Sequence, residues 1–419
     1  MLSVSDAQSA TGGLMPANFG FATLALIVAV GLLGPLLAAP KQLRIPVVVG
    51  ELGVGLLFGQ SGLKVLDPTN PTFSMLADVG FALVMFVVGS HVPIRDVTLR
   101  SSMPKAALRA VLVGAVAVGF AVIIAQSFHT GHTLLFAVLI ASSSAALALP
   151  MLDSLGLGGP AVLSVTAQIA IADTASIVLL PLVIDPPRAG RAALGSLAIG
   201  GCAVLIFLVL QHYEAHGRRK RLHRYSERHR LALELRISLL LLFALAALAT
   251  ATHVSIMLAG FALGLVLSAV GQPRRLARQL FGITEGFFGP LFFVWLGSSL
   301  RIRELGADPR LIGLGLALGV AAVLAHLVGA LLRQPVAMAA LSSAQLGVPV
   351  AAAALGTESA LLEPGEPSAL ILGALVTVVV TSIAARAAGR RNPVVATGEK
   401  PSSGEPSSGG GSVGSGKAG

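Results

Sequence analysis

The sequence is poor in charge, in aromatic residues and in cysteine. Charged residues make up only 11% of its 419 residues and aromatic residues 5%, whereas 55% are hydrophobic. A soluble domain carries about 25% charged residues, so this composition predicts an integral membrane protein. The single cysteine, Cys202, lies in an apolar run and excludes a disulfide framework. Because the sequence shows no nucleophile–base pair, metal-ligand cluster or phosphate-binding loop, we expect neither an enzyme nor a cofactor.

The apolar residues fall into thirteen segments, most of them near the roughly 20 residues that cross a bilayer. The segments are Phe19–Ala39, Ile45–Gln60, Phe73–His91, Ala106–Ser127, Thr133–Leu152, Pro160–Ile184, Ala192–Gln211, Leu231–Ala251, Val254–Ala269, Leu280–Leu300, Leu311–Leu332, Val336–Gly356 and Ser368–Ala388. We therefore predict an all-α integral membrane protein with about thirteen transmembrane helices.

The net charge of +10 is concentrated in short loops, which indicates membrane orientation rather than a nucleic-acid partner. The most basic loop, residues 212–230, reads HYEAHGRRKRLHRYSERHR. Placing it in the cytoplasm puts residues 1–18, which lack the basic region of a cleavable signal, outside and the C-terminus inside. The alternate loops then hold only Lys64, Arg188, Arg191, Arg301, Arg303 and Arg310. The Gly/Ser-rich residues 391–419 predict a disordered cytoplasmic tail.

The segments divide into two groups of six. A first repeat, about residues 19–184, is joined by a linking helix, about 192–211, to a second repeat, about 231–388. An odd number of connecting spans gives the halves opposite orientation, which is the inverted-repeat plan of many secondary transporters. Segments five and twelve occupy equivalent positions and carry the polar stretches ASSS (141–144) and LSSAQLGVP (341–349). We therefore predict that helices 5 and 12 are broken around a midplane site.

One charged residue, Asp173, lies in the middle of the sixth segment. A carboxylate at that depth costs roughly 2.5–3.5 kcal/mol on insertion scales. The leading interpretation is therefore an ion or proton site in a water-filled cavity. The alternative is a structural aspartate that caps a half-helix or bonds a neighbouring hydroxyl.

Five motifs, in order, resemble signatures of the monovalent cation:proton antiporter superfamily, in particular its Kef-like and Nap-like sodium/hydrogen exchanger branch. They are IPVVVGELGVGLLFGQSGL (45–63), LADVG to FVVG (76–89), AGFALGLVLS (259–268), GPLFFVWLG (289–297) and AQLG (344–347). The resemblance covers about residues 19–390. It implies exchange of Na⁺ or K⁺ for H⁺ across the inner (plasma) membrane, by a homodimer in which one bundle moves against a scaffold.

The resemblance also places the ion site on the dipeptide Ala172-Asp173. In the family an Asp-Asp pair goes with electrogenic exchange and an Asn-Asp pair with electroneutral exchange. Because Ala172 replaces the first residue, one carboxylate remains and one-for-one exchange is expected. The lysine that pairs with the first aspartate in some relatives is also missing from residues 280–300.

Other polar residues are secondary candidates. Hydroxyl oxygens suit a hard cation, and the candidate ligands are Ser142, which the resemblance favours, Ser143, Ser144 and Thr174; helix packing is their alternative role. Glu51 and Glu285 are candidates for a cytoplasmic funnel that gathers cations, although an interhelical hydrogen bond would also explain Glu51. His326 is either a titratable group or a hydrogen-bonded packing residue.

Two other transport functions stay open at this point. A proton-coupled exporter of an organic or ionophore-like solute could use the same scaffold, because a changed site can serve a changed substrate. A regulated cation channel or efflux system is the third class. Kef-like relatives often carry a cytoplasmic nucleotide-binding domain, so we would expect a separate subunit to gate such a system here.

Overall fold

The computed structural model describes residues 20–38, 47–91, 94–95, 97–154, 157–184, 189–215, 229, 231–252, 254–271, 274–306 and 308–391. The predictions for residues 1–18, for most of the basic loop 212–230 and for the tail after Arg391 lie outside this part. The described residues form helices and no strand. The all-α class is therefore confirmed.

Each of the thirteen predicted segments coincides with a helix or a broken helix. They are α1 (Phe21–Ala38), α2 (Val47–Phe58), α3 (Pro71–His91), α4 (Val97–Ser127), α5a (Thr133–Ala141) and α5b (Ala145–Ser154), α6 (Pro160–Ile184), α7 (Ala189–Ala215), α8 (Leu233–Ala251), α9 (Ile256–Val270), α10 (Arg274–Ile283, Thr284–Phe288 and Gly289–Ser299), α11 (Pro309–Leu327, extended by Val328–Leu332), α12a (Val336–Leu341) and α12b (Gly347–Glu358), and α13 (Glu366–Arg391). A short helix, Ile302–Leu305, precedes α11. By length and composition, eight of the described helices can cross a membrane, and shorter apolar helices complete the set.

Helices 5 and 12 are both interrupted, as predicted. In helix 5, Ser142 adopts an extended conformation, and its hydroxyl donates to the Leu139 carbonyl at 2.8 Å. In helix 12 the Ser343 hydroxyl donates to the Ala340 carbonyl at 2.7 Å. Serine hydroxyls that bond nearby carbonyls offer the backbone an alternative to the helical ladder. The local sequence therefore explains why both helices stop where they do.

Helix α10 is continuous but contains one turn of π-helix, Thr284–Phe288, before Gly289. Pro290 follows at once, and its missing N–H suits the start of a new helical stretch. The helix begins at Arg274 rather than at the predicted Leu280. Its first turns are basic, so the apolar pattern alone assigns them to the preceding loop.

The helices pack into two groups. The core bundle consists of α4, α5, α6, α11, α12 and α13, and the scaffold consists of α1, α2, α3, α7, α8, α9 and α10. In the scaffold, α2 packs on α10 and α9 packs on α3; in the core bundle, α4 packs on α6 and α11 packs on α13. Helices α1–α6 of the first half correspond in order to α8–α13 of the second half. Under this correspondence the pair α2–α10 becomes α9–α3, and the pair α4–α6 becomes α11–α13. This is the packing expected of two inverted six-helix repeats, and it confirms that prediction.

Glycines bring the scaffold helices into backbone contact. A Cβ added to Gly264 of α9 would lie 2.4 Å from the Phe86 carbonyl oxygen of α3. A Cβ added to Gly55 of α2 would lie 2.4 Å from the Val294 carbonyl oxygen of α10. The core bundle meets the scaffold chiefly where α5b contacts α3 and where α6 contacts α7 and α9. The scaffold is therefore tightly built, and fewer contacts join it to the bundle that carries the site.

Candidate functional site

The two helix breaks lie against each other inside the core bundle. The backbone N–H of Ser144 donates to the Ala344 carbonyl at 2.6 Å, and the Ser143 hydroxyl donates to the Ser342 carbonyl at 2.7 Å. These four residues are at most 2% exposed. Irregular backbone at membrane depth is stable only where other groups satisfy it. Each break therefore supplies partners for the other.

Asp173 points from α6 to the start of α5b. Its side chain is 1% exposed, and its Oδ2 accepts a hydrogen bond from the backbone N–H of Ala145 at 3.0 Å. Ala145 is the first residue of α5b, where unpaired N–H groups and the helix dipole favour negative charge. This contact is also what a structural cap would make, so it does not by itself separate the two interpretations of Asp173.

Two polar atoms beside this contact have no hydrogen-bond partner among the described residues. They are Oδ1 of Asp173 and the hydroxyl oxygen of Ser144, and both are buried. Buried polar groups are normally paired, so each orphan calls for an explanation. Both are oxygens, the ligand type that hard cations prefer. The arrangement can thus accept a proton or a desolvated cation at Asp173.

Three of the four predicted hydroxyl ligands, Ser142, Ser143 and Thr174, make other bonds in this conformation. Ser142 and Ser143 donate to carbonyl groups, as described above. Thr174 is half-buried and donates to the Ala170 carbonyl of its own helix at 2.7 Å. None of the three forms a hydrogen bond with Asp173 among the described residues, and their role as ligands stays a prediction. Ala172 is buried and adds no polar side-chain atom.

Gln345 holds the end of α5a from the opposite break. Its Nε2 donates to the Leu139 carbonyl at 2.6 Å, to the Ser142 carbonyl at 3.2 Å and to the Ile140 carbonyl at 3.4 Å. The last carbonyls of a helix have no partner within it, so this amide acts as a C-terminal cap supplied by the break in helix 12. The sequence reasoning missed this role, although Gln345 lies within one of the five motifs.

A buried glutamine pair extends the polar interior. The Nε2 of Gln334 donates to Oε1 of Gln168 at 3.1 Å, and the Nε2 of Gln168 lies 3.5 Å from the Ser342 hydroxyl. Gln168 is 1% exposed and lies on α6, five residues before Asp173. These amides link α6 to the break in α12.

His326 of α11 lies where the breaks in helices 5 and 12 meet. Its Nδ1 lies 2.8 Å from the Ala322 carbonyl and its Nε2 lies 3.3 Å from the Ser143 hydroxyl. A carbonyl oxygen only accepts, so Nδ1 carries a proton in this contact. The residue is 1% exposed, and its bonds match the hydrogen-bonded packing role considered from the sequence.

The two candidate funnel carboxylates lie together, but in the scaffold rather than beside Asp173. Glu51 of α2 is 4% exposed and packs against Gly34 of α1, where an added Cβ would lie 2.5 Å from its Cγ. Glu285 lies in the π-helical turn of α10, close enough for its charge to act on Glu51. They belong to the opposite bundle from Asp173.

Arg109 is a buried cation that sequence reasoning did not single out. It is 7% exposed; Nη1 donates to the Ser164 hydroxyl at 2.8 Å and Nη2 donates to the Leu332 carbonyl at 3.0 Å. It thereby connects α4, α6 and the end of α11. The sequence feature that could have identified it is a single arginine within the apolar segment Ala106–Ser127.

Comparison with known proteins points to one family. Residues 25–388 match the family described as sodium/hydrogen exchanger, transmembrane. The Na(+)/H(+) antiporter NhaS5 of Synechocystis sp. is 26% identical over 302 residues, which cover 68% of this chain and 42% of that protein. YjbQ of Bacillus subtilis is 23% identical over 316 residues, covering 71% of this chain and 50% of that protein. The chain therefore spans half or less of the length of these relatives.

The fold also matches a solved structure. The sodium proton antiporter MjNhaP1 from Methanocaldococcus jannaschii at pH 8 superposes with a TM-score of 0.62. The match covers 88% of this chain and 97% of that chain, at 17% sequence identity. At this identity the likeness concerns the fold.

Proposed function

Because the chain belongs to the transmembrane sodium/hydrogen exchanger family, we propose that it exchanges a monovalent cation for H⁺ by alternating access, with Asp173 as the shared site. The family and the superposed structure are transporters rather than enzymes, as the sequence predicted. The observation that carries the proposal is the buried Asp173 carboxylate, whose Oδ1 has no hydrogen-bond partner in the described part of the chain. Na⁺ is the first choice of cation because NhaS5 is named for it; K⁺ is the second.

The net charge of the occupied site favours one-for-one exchange. Protonated Asp173 is neutral, and ionised Asp173 with one bound monovalent cation is neutral as well. Ala172 adds no second carboxylate, and residues 280–300 of α10 contain no lysine. Because the site is neutral in both occupied states, no net charge crosses the membrane in one cycle, and we expect exchange here to be electroneutral.

The two-bundle packing supports the alternating-access part of the proposal. In this scheme the core bundle carries Asp173 between the two sides, and the scaffold holds it in a homodimer. We propose a plasma-membrane protein with its N-terminus outside and its C-terminus in the cytoplasm, because this orientation leaves the most basic loops in the cytoplasm. The scaffold carboxylates Glu51 and Glu285 then lie toward the cytoplasmic side, where they attract cations to the site.

The deciding experiment compares two Asp→Asn substitutions in liposomes that contain a pH-sensitive dye. After a pH gradient is imposed, Na⁺, K⁺ or Li⁺ is added. We expect Asp173→Asn to abolish cation-dependent proton movement, because an amide cannot exchange a proton for a cation. The matched control is Asp308→Asn, at an exposed carboxylate whose Oδ1 caps α11 by accepting from the Arg310 N–H at 2.8 Å; asparagine retains that acceptor.

Two results would count against the proposal. Cation-dependent flux that persists in Asp173→Asn would remove Asp173 from the site. Absence of flux in the folded parent protein would refute cation exchange. It would favour a proton-coupled exporter of an organic solute, because Ala172 changes the family's ion site and a changed site can serve a changed substrate. A membrane-potential dye in the same liposomes tests electroneutrality, since electroneutral exchange generates no potential.

A further inference from the structure

Basic residues are scarce on the side where α2 and α10 end, yet three of them surround one cavity. The loops that the sequence assigns to this side contain six basic residues, Lys64, Arg188, Arg191, Arg301, Arg303 and Arg310. A cavity of about 470 Å³ is lined by Lys64, Arg301 and Arg303, together with Gln60, Ser61 and Asp67. We propose that this cavity binds the phosphate of an anionic lipid headgroup. The proposal goes beyond ion exchange and does not depend on it.

The cavity wall is built from two loops that are bonded to each other. The Ser61 hydroxyl donates to the Leu300 carbonyl at 2.5 Å and accepts from the Ile302 N–H at 2.8 Å. Nη2 of Arg303 donates to the Gly62 carbonyl at 3.2 Å. These bonds join loops that are about 240 residues apart in the chain. The cationic groups are therefore held near one another before any ligand arrives, which lowers the entropic cost of binding.

The charge of the lining favours an anion. The lining contains three cationic side chains and one carboxylate, Asp67, whose Oδ1 already accepts from the N–H and the hydroxyl of Thr69 at 3.0 and 2.6 Å. Nε of Arg301 donates to Oε1 of Gln60 within the same lining at 2.9 Å, a bond that leaves its charge in place. Within the described part of the chain, Lys64 forms no ion pair. A guanidinium has five N–H donors, so Arg303 retains donors beyond its bond to Gly62. Lysine and arginine together suit a phosphate group, which offers several acceptor oxygens.

The position of the cavity favours a lipid over a free anion. The sole tryptophan, Trp295, is half-buried in α10, and its indole N–H donates to the Pro68 carbonyl next to the lining loop at 3.0 Å. Tryptophan is enriched at the level of the lipid headgroups. Leu57 and Leu63, on the chain that leads into the cavity, are 54% and 61% exposed. An occupant with a phosphate and acyl chains can use both the cationic lining and these apolar side chains.

A bound lipid would lie at a junction between the two bundles. The backbone carbonyl of Arg301 accepts from the Ser368 hydroxyl of α13 at 3.2 Å. The lining of the cavity is thus tied to the core bundle as well as to α2 and α10. Occupancy would therefore brace the scaffold against the core bundle on this side.

The test uses delipidated full-length protein in detergent, titrated with phosphatidylglycerol, phosphatidylcholine or inorganic phosphate. Trp295 fluorescence reports on the cavity, and native mass spectrometry counts bound lipid. We expect phosphatidylglycerol to bind more tightly than phosphatidylcholine. The double variant Lys64→Gln/Arg303→Gln should bind phosphatidylglycerol roughly 30-fold more weakly. The control Arg191→Gln/Arg310→Gln removes the same charge from the same side and should retain parental affinity.

Three outcomes would overturn the proposal: equal affinity for both lipids, equal weakening in the cavity and control variants, or binding of inorganic phosphate as tight as that of phosphatidylglycerol. The last would make the cavity a site for a free anion. If the double variant does not fold, Asp67→Asn decides instead, because asparagine keeps the acceptor for Thr69 and removes the opposing charge. It should tighten phosphatidylglycerol binding roughly fivefold, and unchanged affinity would contradict the assignment.

Discussion

The contact between Gln345 and the end of α5a offers a direct test of the crossing between the two broken helices. Gln345 is 4% exposed, and its Nε2 reaches the carbonyls of Leu139 and Ser142. The substitution Gln345→Met keeps an unbranched side chain of similar length and removes the donor. It therefore changes hydrogen bonding with little change in packing volume.

The substitution also removes the long contact to the Ile140 carbonyl at 3.4 Å, but the two shorter bonds, to Leu139 and Ser142, dominate its cost. The free energy lost differs between these two carbonyls. The Leu139 carbonyl also accepts from the N–H and the hydroxyl of Ser142, at 3.1 and 2.8 Å, so it keeps partners after the substitution. The Ser142 carbonyl has no other hydrogen bond among the described residues. A buried group left unpaired costs about 1–3 kcal/mol, and a lost bond between groups that stay satisfied costs about 0.5–1.5 kcal/mol. We therefore expect Gln345→Met to lower the free energy of unfolding by about 2–4 kcal/mol.

The assay is equilibrium unfolding of the purified protein in mixed micelles, for the parent and for matched variants. Gln126→Met, at an exposed glutamine of α4, is the control and should stay within about 0.5 kcal/mol of the parent. Gln345→Glu tests the donor role through the direction in which its stability changes with pH. A protonated carboxyl can donate to one carbonyl and an ionised one can donate to none, so its destabilisation should grow as the pH rises.

Parental stability in Gln345→Met would refute this account of the crossing. It would mean that water or another donor replaces the amide, and that the end of α5a does not depend on the opposite break. A pH-independent effect of Gln345→Glu would likewise contradict the donor role.

The other predictions concern scaffold packing and the site. Gly264→Ala should lower the free energy of unfolding by about 1–3 kcal/mol, because its Cβ would lie 2.4 Å from the Phe86 carbonyl; Gly114→Ala, with nothing within 4 Å of the new Cβ, is the control. In liposomes, Ser144→Ala should raise the cation concentration for half-maximal flux roughly tenfold if its free hydroxyl binds the cation. Thr174→Ala should leave that value unchanged, because its hydroxyl is bonded within its own helix, and the opposite ranking of the two variants would disprove this assignment.

Much of the architecture follows from local chemistry and was predictable. Long apolar segments had to become helices, and the serine-rich stretches had local reasons to interrupt helices 5 and 12. The apolar pattern predicts that α4 and α10 start at Ala106 and Leu280, whereas the helices begin at Val97 and Arg274. Their first turns carry polar and basic residues, and hydropathy does not distinguish a polar helical turn from a loop.

The partners across the site could not be predicted in the same way. Asp173 and Ala145 are 28 residues apart, and Gln345 and Ser142 are 203 apart. Which atoms meet depends on how the two halves cross, and hydropathy and spacing do not encode that geometry. The residues that sequence reasoning missed, Gln345 and Arg109, both act through such long-range contacts.

The capping and transport interpretations of Asp173 differ in what they require of its second oxygen. A cap needs only Oδ2, which accepts from the Ala145 N–H, and asparagine could provide that acceptor equally well. A cap alone gives no reason to bury Oδ1 where none of the described residues bonds to it, in a span where charge is costly. A site that alternates between a proton and a cation needs the free oxygen, and the start of α5b stabilises the carboxylate once the proton has left. Asp173→Asn should therefore fold with nearly parental stability and lose exchange, whereas a purely structural aspartate would leave exchange intact.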